Sequence, residues 1–283
     1  MYPIIFDFGE IDIFGIQFRL AIYSFGLMLV VAFYSCYYLL ERDLKKLGYN
    51  EKLASDIIFW SALGGIIGSK IYHVVENLDD ILASPNILGQ IFSGSGLVFL
   101  GGLIGAIIAV TIVLNKYKVS WLKFADRLAP LIFLGYAIGR IGCFLVGDDY
   151  GIPSKLPWAI SFPNGLPPTT TQVFSYQFPW IDITNYGSGI ISVHPTQLYE
   201  TLICGSLFYL LWSKRNLITI PGSLFFQYLI FAGLERFFIE FLRTNEKYLL
   251  GILSGAQILS LIMICFGLYF ILNPIKSSES FNS

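Results

Sequence analysis

The sequence predicts an all-α polytopic membrane protein of about seven transmembrane helices with a small cap on its outer face. Three observations carry that reading: composition, apolar stretches of spanning length, and basic residues that collect in alternate loops. Of 283 residues, 55% are hydrophobic and 13% charged, and the mean hydropathy is +0.67. A soluble domain carries roughly 25% charged residues, so lipid must be the main solvent of this chain. Net charge is −1, which argues against a nucleic-acid partner.

Apolar stretches fall near 20–40, 54–75, 97–115, 128–146, 196–213, 222–242 and 252–273. Arg42, Lys45, Lys46 and Lys52 sit in the first loop, Lys116, Lys118, Lys123 and Arg127 in the third, Lys214 and Arg215 in the fifth, and Lys276 in the tail. The loop near 76–96 has no Lys or Arg, and 147–195 has only Lys155; Arg243 and Lys247 are the exception, in the sixth loop. Basic loops stay in the cytoplasm. The N-terminus is therefore expected outside and the C-terminus inside. The segment 147–195 is rich in Gly, Pro and aromatic residues and too polar to span. It is expected to form a compact cap of short strands and turns.

The opening MYPIIFDFGEIDIFG lacks the basic start of a cleavable signal peptide. Cys36, Cys143, Cys204 and Cys265 all lie in apolar stretches, without CxxC or Cys/His metal spacing. Neither a disulfide framework nor a metal site is expected. No internal repeat supports an inverted-repeat transporter. Gly64/Gly68, Gly101/Gly105 and Gly135/Gly139 are small-xxx-small pairs that would let helix backbones approach closely.

Charges inside spans are costly and mark functional sites. Arg140 follows Gly139 late in the fourth span, ahead of Gly142, Gly147 and Gly151. Glycines let backbone N–H groups approach a ligand, and a guanidinium matches the forked oxygens of a phosphate. Glu235, Arg236, Glu240 and Arg243 end the sixth span, with positions 236, 240 and 243 on one helix face. They form either a self-neutralising ladder or a second cationic contact for the same headgroup, with Glu240 orienting Arg236. His194-Pro195-Thr196-Gln197-Leu198-Tyr199-Glu200 opens the fifth span. It can be a helix start, with His194 at the cap, Pro195 at the first position and Gln197 meeting free N–H groups. It can also bring an imidazole and Glu200 to an outer-face cavity. Lys70, His73 and Glu76 could line that cavity or neutralise one another. Taken together, these residues describe an outward-facing polar site for an anionic lipid and leave the reaction open.

The chain resembles the bacterial phosphatidylglycerol–prolipoprotein diacylglyceryl transferase family over nearly its whole length. The resemblance rests on Phe25-Gly26-Leu27-Met28, Gly68-Ser69-Lys70, Gly101-Gly102-Leu103-Ile104-Gly105, Ala125-Asp126 with Ala129-Pro130, and Gly139-Arg140-Ile141-Gly142-Cys143-Phe144 through Gly151. It continues through Trp158 to Phe162-Pro163, His194 to Glu200, Arg236 to Arg243, and Gln257-Ile258-Leu259-Ser260. The glycine-arginine and HPTQLYE blocks are the specific ones.

The resemblance implies transfer of diacylglyceryl from phosphatidylglycerol to the lipobox cysteine of a prolipoprotein, with loss of glycerol phosphate, in the bacterial inner membrane. It implies no cofactor and no metal. Arg140 is implied as the phosphatidylglycerol-binding arginine and Arg236 as a second essential one. Glu240, Arg243, Asp126, His194, Gln197 and Glu200 are implied in supporting positions. Phe25, Leu100, Cys143 and Ala232 stand where the family has Tyr, His, Asn and Tyr. With Leu100 unable to take a proton, His194, Asp148 or a thiolate formed in bulk solution remain as sources of the nucleophile. A divergent lipid-binding homologue, or a transporter, would be the competing reading. The latter requires a polar path from face to face.

Overall fold

The structure, a computed structural model, describes residues 2–13, 16–83, 98–247 and 251–274. Most of the basic-poor loop near 76–96, and the tail with Lys276, lie outside them. The chain divides into two compact units, residues 37–124 and residues 1–36 with 125–283.

Where an apolar stretch meets lipid, a helix satisfies every backbone N–H and C=O internally, and long helices dominate accordingly. They are α1 (Ser24–Lys46), α2 (Lys52–Glu76), a short α3 (Leu78–Ala83), α4 (Phe99–Tyr117) and α5 (Trp121–Val146). After them come α6 (Thr171–Gln177), α7 (Thr196–Lys214), α8 (Ser223–Ile239) and α9 (Gly255–Leu272). Five of these, α1, α2, α4, α5 and α9, are long and apolar enough to cross a membrane. The remaining two expected spans are also helical, but α7 carries Glu200 and α8 is 17 residues long with Glu235 and Arg236 near its end.

Several boundaries differ from expectation, among them the end of α1, which runs on from the expected 40 to Lys46 and takes in Arg42, Lys45 and Lys46 of the expected first loop. Residues 4–23 form an antiparallel hairpin, β1 (Ile4–Ile13) with β2 (Ile16–Tyr23), so the first helix starts at Ser24 rather than near 20. Hydropathy averaging registers apolar content but not strand pairing, which is why the hairpin is missed. Tyr2 N–H donates to the Leu145 carbonyl and Ser24 N–H to the Pro3 carbonyl, anchoring the hairpin at the end of α5. Helix α5 starts at Trp121, seven residues before the expected 128, because polar Lys123, Asp126 and Arg127 are built into its first turns.

In the unit of residues 37–124, α2 and α4 pack through their glycines. A Cβ at Gly64 would lie 2.7 Å from both Ala109 Cβ and the Gly105 carbonyl oxygen, and one at Gly68 would strike the Gly101 carbonyl. The third expected pair behaves differently. A Cβ at Gly135 would make an ordinary 3.5 Å contact with Cys36 Sγ, and one at Gly139 would meet open space. In the larger unit, α8 and α9 use Gly233 and Gly267 in the same way, against Ile264 and Ile230. Those two glycines lie on different helices and form no GxxxG pattern.

Between α5 and α7 the chain turns on an aromatic core of Tyr150, Phe162, Phe174, Ile191 and Val193. Here β3 (Ile160–Ser161) pairs with β4 (Ser192–Val193). Glycine-mediated contact in lipid rests on dispersion at close range. Gly105→Val should therefore lower the stability of the detergent-solubilised protein by about 1–3 kcal/mol, seen as a fall in thermal midpoint. The same change at Gly205, which has nothing within 4 Å, should be much milder.

Candidate functional site

A fully buried carboxylate organises the upper end of α5, α7 and α8. Glu200, in the second turn of α7, is 0% exposed. Three guanidinium groups close on it: Arg140 Nε at 2.9 Å, Arg236 Nη1 at 3.6 Å and Arg243 Nη1 at 3.7 Å. Helical spacing explains the convergence. On α5, Tyr136 and Arg140 are one turn apart, and the Tyr136 hydroxyl donates to Glu200 Oε1 at 2.8 Å while accepting from Arg140 Nη2 at 2.9 Å. On α8, Arg236 lies one turn before Glu240, whose Oε2 is 2.8 Å from Arg236 Nη2. Glu240 is held in turn by Asn245 Nδ2 at 2.8 Å and Ser254 Oγ at 2.7 Å. Ser254 caps α9 in a reciprocal pair with Gln257, the local signature of Ser-x-x-Gln at a helix start.

Asp149 completes the cluster and was not foreseen. Its two oxygens bridge Arg140 Nη1 at 2.6 Å and Arg243 Nη2 at 2.7 Å. Burial alone would raise this carboxyl, but Arg243 and Arg140 outweigh it and hold Asp149 below the usual carboxylate range. Burial pushes its neighbour Asp148 upward, reinforced by the Asp149 charge. An acidic pair after a glycine reads from sequence as a turn. Only the left-handed backbone of Asp149, at φ +55°, and the fold around it reveal a bridging role.

Most of the expected residues gather here, and some do not. Arg140, Arg236, Glu240, Arg243 and Glu200 share the cluster. Asp126 sits at the other end of the same helices. Its buried carboxylate accepts the backbone N–H groups of Gly222, Leu224 and Phe225 at 2.6–2.9 Å, capping α8. Fourteen residues of helix, about 20 Å, separate it from Arg140, so a headgroup contact is replaced by a capping role. Gly142 packs on α1, with Phe25 and Met28 only 3.1 Å from where its Cβ would be. Gly151 N–H donates to the His194 carbonyl, and a Cβ there would strike the Leu242 carbonyl. Close chain packing, rather than ligand approach, accounts for both glycines. Gly139 alone leaves open space next to Arg140.

The start of α7 also departs from expectation. Pro195, not His194, is the cap, without a side-chain hydrogen bond. Buried Gln197 instead donates to the Asp148 carbonyl at 2.6 Å, and Thr196 Oγ1 to the Asp149 carbonyl at 3.0 Å. Both fix the acidic loop. His194 stands beside the cluster rather than in it, with Nδ1 3.4 Å from the Tyr199 hydroxyl, which accepts from Trp158 Nε1. Burial lowers the His194 pKa, favouring the neutral imidazole. Lys70, His73 and Glu76 belong to the other unit, where His73 Nδ1 meets Asn77.

Two properties define what this arrangement can do. Among the described residues, buried polar atoms without an aligned hydrogen-bond partner concentrate here, including Arg140 Nε, Arg236 Nη1, Arg243 Nε, Glu200 Oε2 and Glu240 Oε2. Several lie close to an opposite charge but at poor angles, so hydrogen-bonding capacity is left over. Next to the cluster runs an apolar groove of about 490 Å³, lined by Ile203, Leu207, Phe231, Phe238 and the chain neighbours of the charged residues, Tyr199, Glu235 and Leu242. Cationic hydrogen-bond donors beside an apolar trough suit an amphiphile with an anionic head. No cluster of His, Cys, Asp and Glu able to hold a metal occurs among the described residues.

Residues 12–273 match a protein family described as prolipoprotein diacylglyceryl transferase. Relatives named phosphatidylglycerol–prolipoprotein diacylglyceryl transferase include one from Shewanella oneidensis, 34% identical over 279 residues and covering 96% of this chain and 95% of its own. One from Clostridium tetani is 32% identical over 270 residues, covering 95% and 96%. Another, from Pseudomonas aeruginosa, is 30% identical over 257 residues, covering 88% of each.

Proposed function

The chain belongs to the prolipoprotein diacylglyceryl transferase family, and from that membership we propose that it moves diacylglyceryl from phosphatidylglycerol to the lipobox cysteine of a prolipoprotein. The observation that carries this reading is the convergence of Arg140, Arg236 and Arg243 beside an apolar groove. In the reaction the cysteine sulfur forms a bond to the glyceryl carbon that bears the phosphate. The carbon–oxygen bond to phosphate breaks, and its electron pair leaves with glycerol phosphate. The thiol proton passes to a base.

Charge explains why arginines serve this step. The phosphodiester enters with one negative charge and the departing monoester carries nearly two, so guanidinium contacts strengthen as the bond breaks. Arg140 and Arg236 bind the phosphate, with Arg243 completing the clamp. Glu240 and Glu200 hold the arginine planes, Gln197 holds the acidic loop, and an acyl chain lies along the groove. Gly139 leaves room for the headgroup. His194 is the proposed proton acceptor, because burial lowers its pKa and so keeps the imidazole neutral, with a ring nitrogen free to take the proton. No cofactor takes part in this scheme.

Seven spans with the N-terminus outside and 147–195 as an extracytoplasmic cap follow from the loop charges. That topology puts the cluster at the outer leaflet of the bacterial inner membrane, where a translocated prolipoprotein signal segment presents its cysteine.

In proteoliposomes containing phosphatidylglycerol and a lipobox peptide, mass spectrometry should detect the thioether product. Arg140→Ala and Arg236→Ala should each slow its formation by about 10²–10³-fold; either variant at full rate refutes its assigned role. The rate should fall as the imidazole protonates on the acid side of its ordinary range. His194→Ala should be slow at neutral pH and recover toward pH about 8.5, where the thiol ionises unaided. A His194→Ala profile parallel to that of the unaltered protein would remove the histidine from the proton step.

A further inference from the structure

Of the carboxylates around the three arginines, one differs from the rest in how it is held. Glu200 and Glu240 have side chains 0% and 1% exposed, and Glu240 is tied by Asn245 and Ser254. The Asp149 side chain is 46% exposed, and among the described residues the guanidinium groups of Arg140 and Arg243 alone hold its oxygens. Its backbone carbonyl accepts from Thr196 Oγ1 at 3.0 Å as well as from Arg243 Nη1 at 3.4 Å. Thr196 and Gln197 hold the loop through the Asp149 and Asp148 carbonyls, so those anchors stay in place when the Asp149 side chain leaves the guanidinium groups. Its φ of +55° lies in a region that glycine and asparagine tolerate better than most residues.

The contacts Asp149 makes are also those a lipid phosphodiester needs. Each group carries one negative charge on two oxygens held a short distance apart, and each can bridge two guanidinium forks. Two such anions cannot share the same donors. We propose that Asp149 is a resident counter-ion that occupies the headgroup's place between Arg140 and Arg243 and must be displaced when an anionic lipid phosphodiester binds. This rests on the reading that these arginines bind the headgroup. While the lipid is away, Asp149 offsets the arginine charge; when the phosphodiester arrives, it takes over that neutralisation and the aspartate turns to water. The competition sets the affinity for lipid, because only the fraction of protein with Asp149 released can bind.

The test is the dependence of turnover on the mole fraction of phosphatidylglycerol diluted into phosphatidylcholine vesicles. Asp149→Asn keeps the size and tolerates the backbone, and Asp149→Gly suits a positive φ outright. Both should lower the KM for phosphatidylglycerol by about tenfold, as expected for lifting a competitor that leaves about a tenth of the protein competent. An unchanged or raised KM in both variants overturns the proposal. Should either variant lose turnover, retention of radiolabelled phosphatidylglycerol by the purified protein reads the affinity directly, with tighter retention expected and equal or weaker retention contradicting it. Arg140→Ala in the same vesicles separates the two claims. If it leaves lipid dependence unaltered, the headgroup reading fails. If it weakens binding while the Asp149 variants do not tighten it, the counter-ion proposal alone fails.

Discussion

A carboxylate with no exposure to solvent must be compensated, by hydrogen-bond donors as at Asp126 or by cations, and Glu200 is placed under that constraint by the helix that carries it. Desolvating an ion costs several kcal/mol. Arg140 from α5 and Arg236 and Arg243 from the end of α8 and the loop after it supply the compensation. The requirement ties three elements to one point. It orders the arginines against one another, and Tyr136, bonded to both Glu200 and Arg140, closes the network.

The same constraint gives the site its chemical character. Arg140, Arg236 and Arg243 face Asp149, Glu200 and Glu240, so the cluster is close to neutral before any ligand arrives. Binding one phosphodiester therefore needs an exchange of partners rather than a net import of charge into a low-dielectric setting. As the ester bond breaks, the phosphate gains charge while the donors stay in place. Preorganised dipoles and cations act most strongly in that circumstance. The groove, apolar apart from Tyr199 and Glu235 in its lining, supplies the other half of an amphiphile's needs.

Much of this was legible in the residues, for reasons that differ from element to element. Arg140, Arg236, Glu240 and Arg243 stand out because ionised groups rarely occur within apolar stretches; helical spacing pairs Arg236 with Glu240 as expected, whereas Arg243 lies past the helix end in extended backbone and reaches the cluster from there. Asp126, just ahead of the expected fourth span, was singled out by the family resemblance alone and proves to be a cap for α8. Asp149 was hidden because acids beside glycine are ordinary in turns. Gly233 and Gly267 were hidden because their partnership exists only between two helices. The hairpin at 4–23 escaped because apolar content and strand pairing are separate signals, and hydropathy reads only the first. Gly142 and Gly151 both sit in close chain packing, which the absence of a side chain serves as readily as it serves a ligand.

The central claim is that Arg140 and Arg236 reach one lipid phosphate. Solid-state NMR on isotope-labelled arginine nitrogen, in bilayers of phosphatidylglycerol, measures it through dipolar coupling to the lipid phosphorus, with Arg140→Lys and Arg236→Lys assigning the signals. The account predicts coupling from both side chains at hydrogen-bonding range, about 4 Å between nitrogen and phosphorus. Coupling from neither, or from one arginine with the other remote from phosphorus, would contradict it.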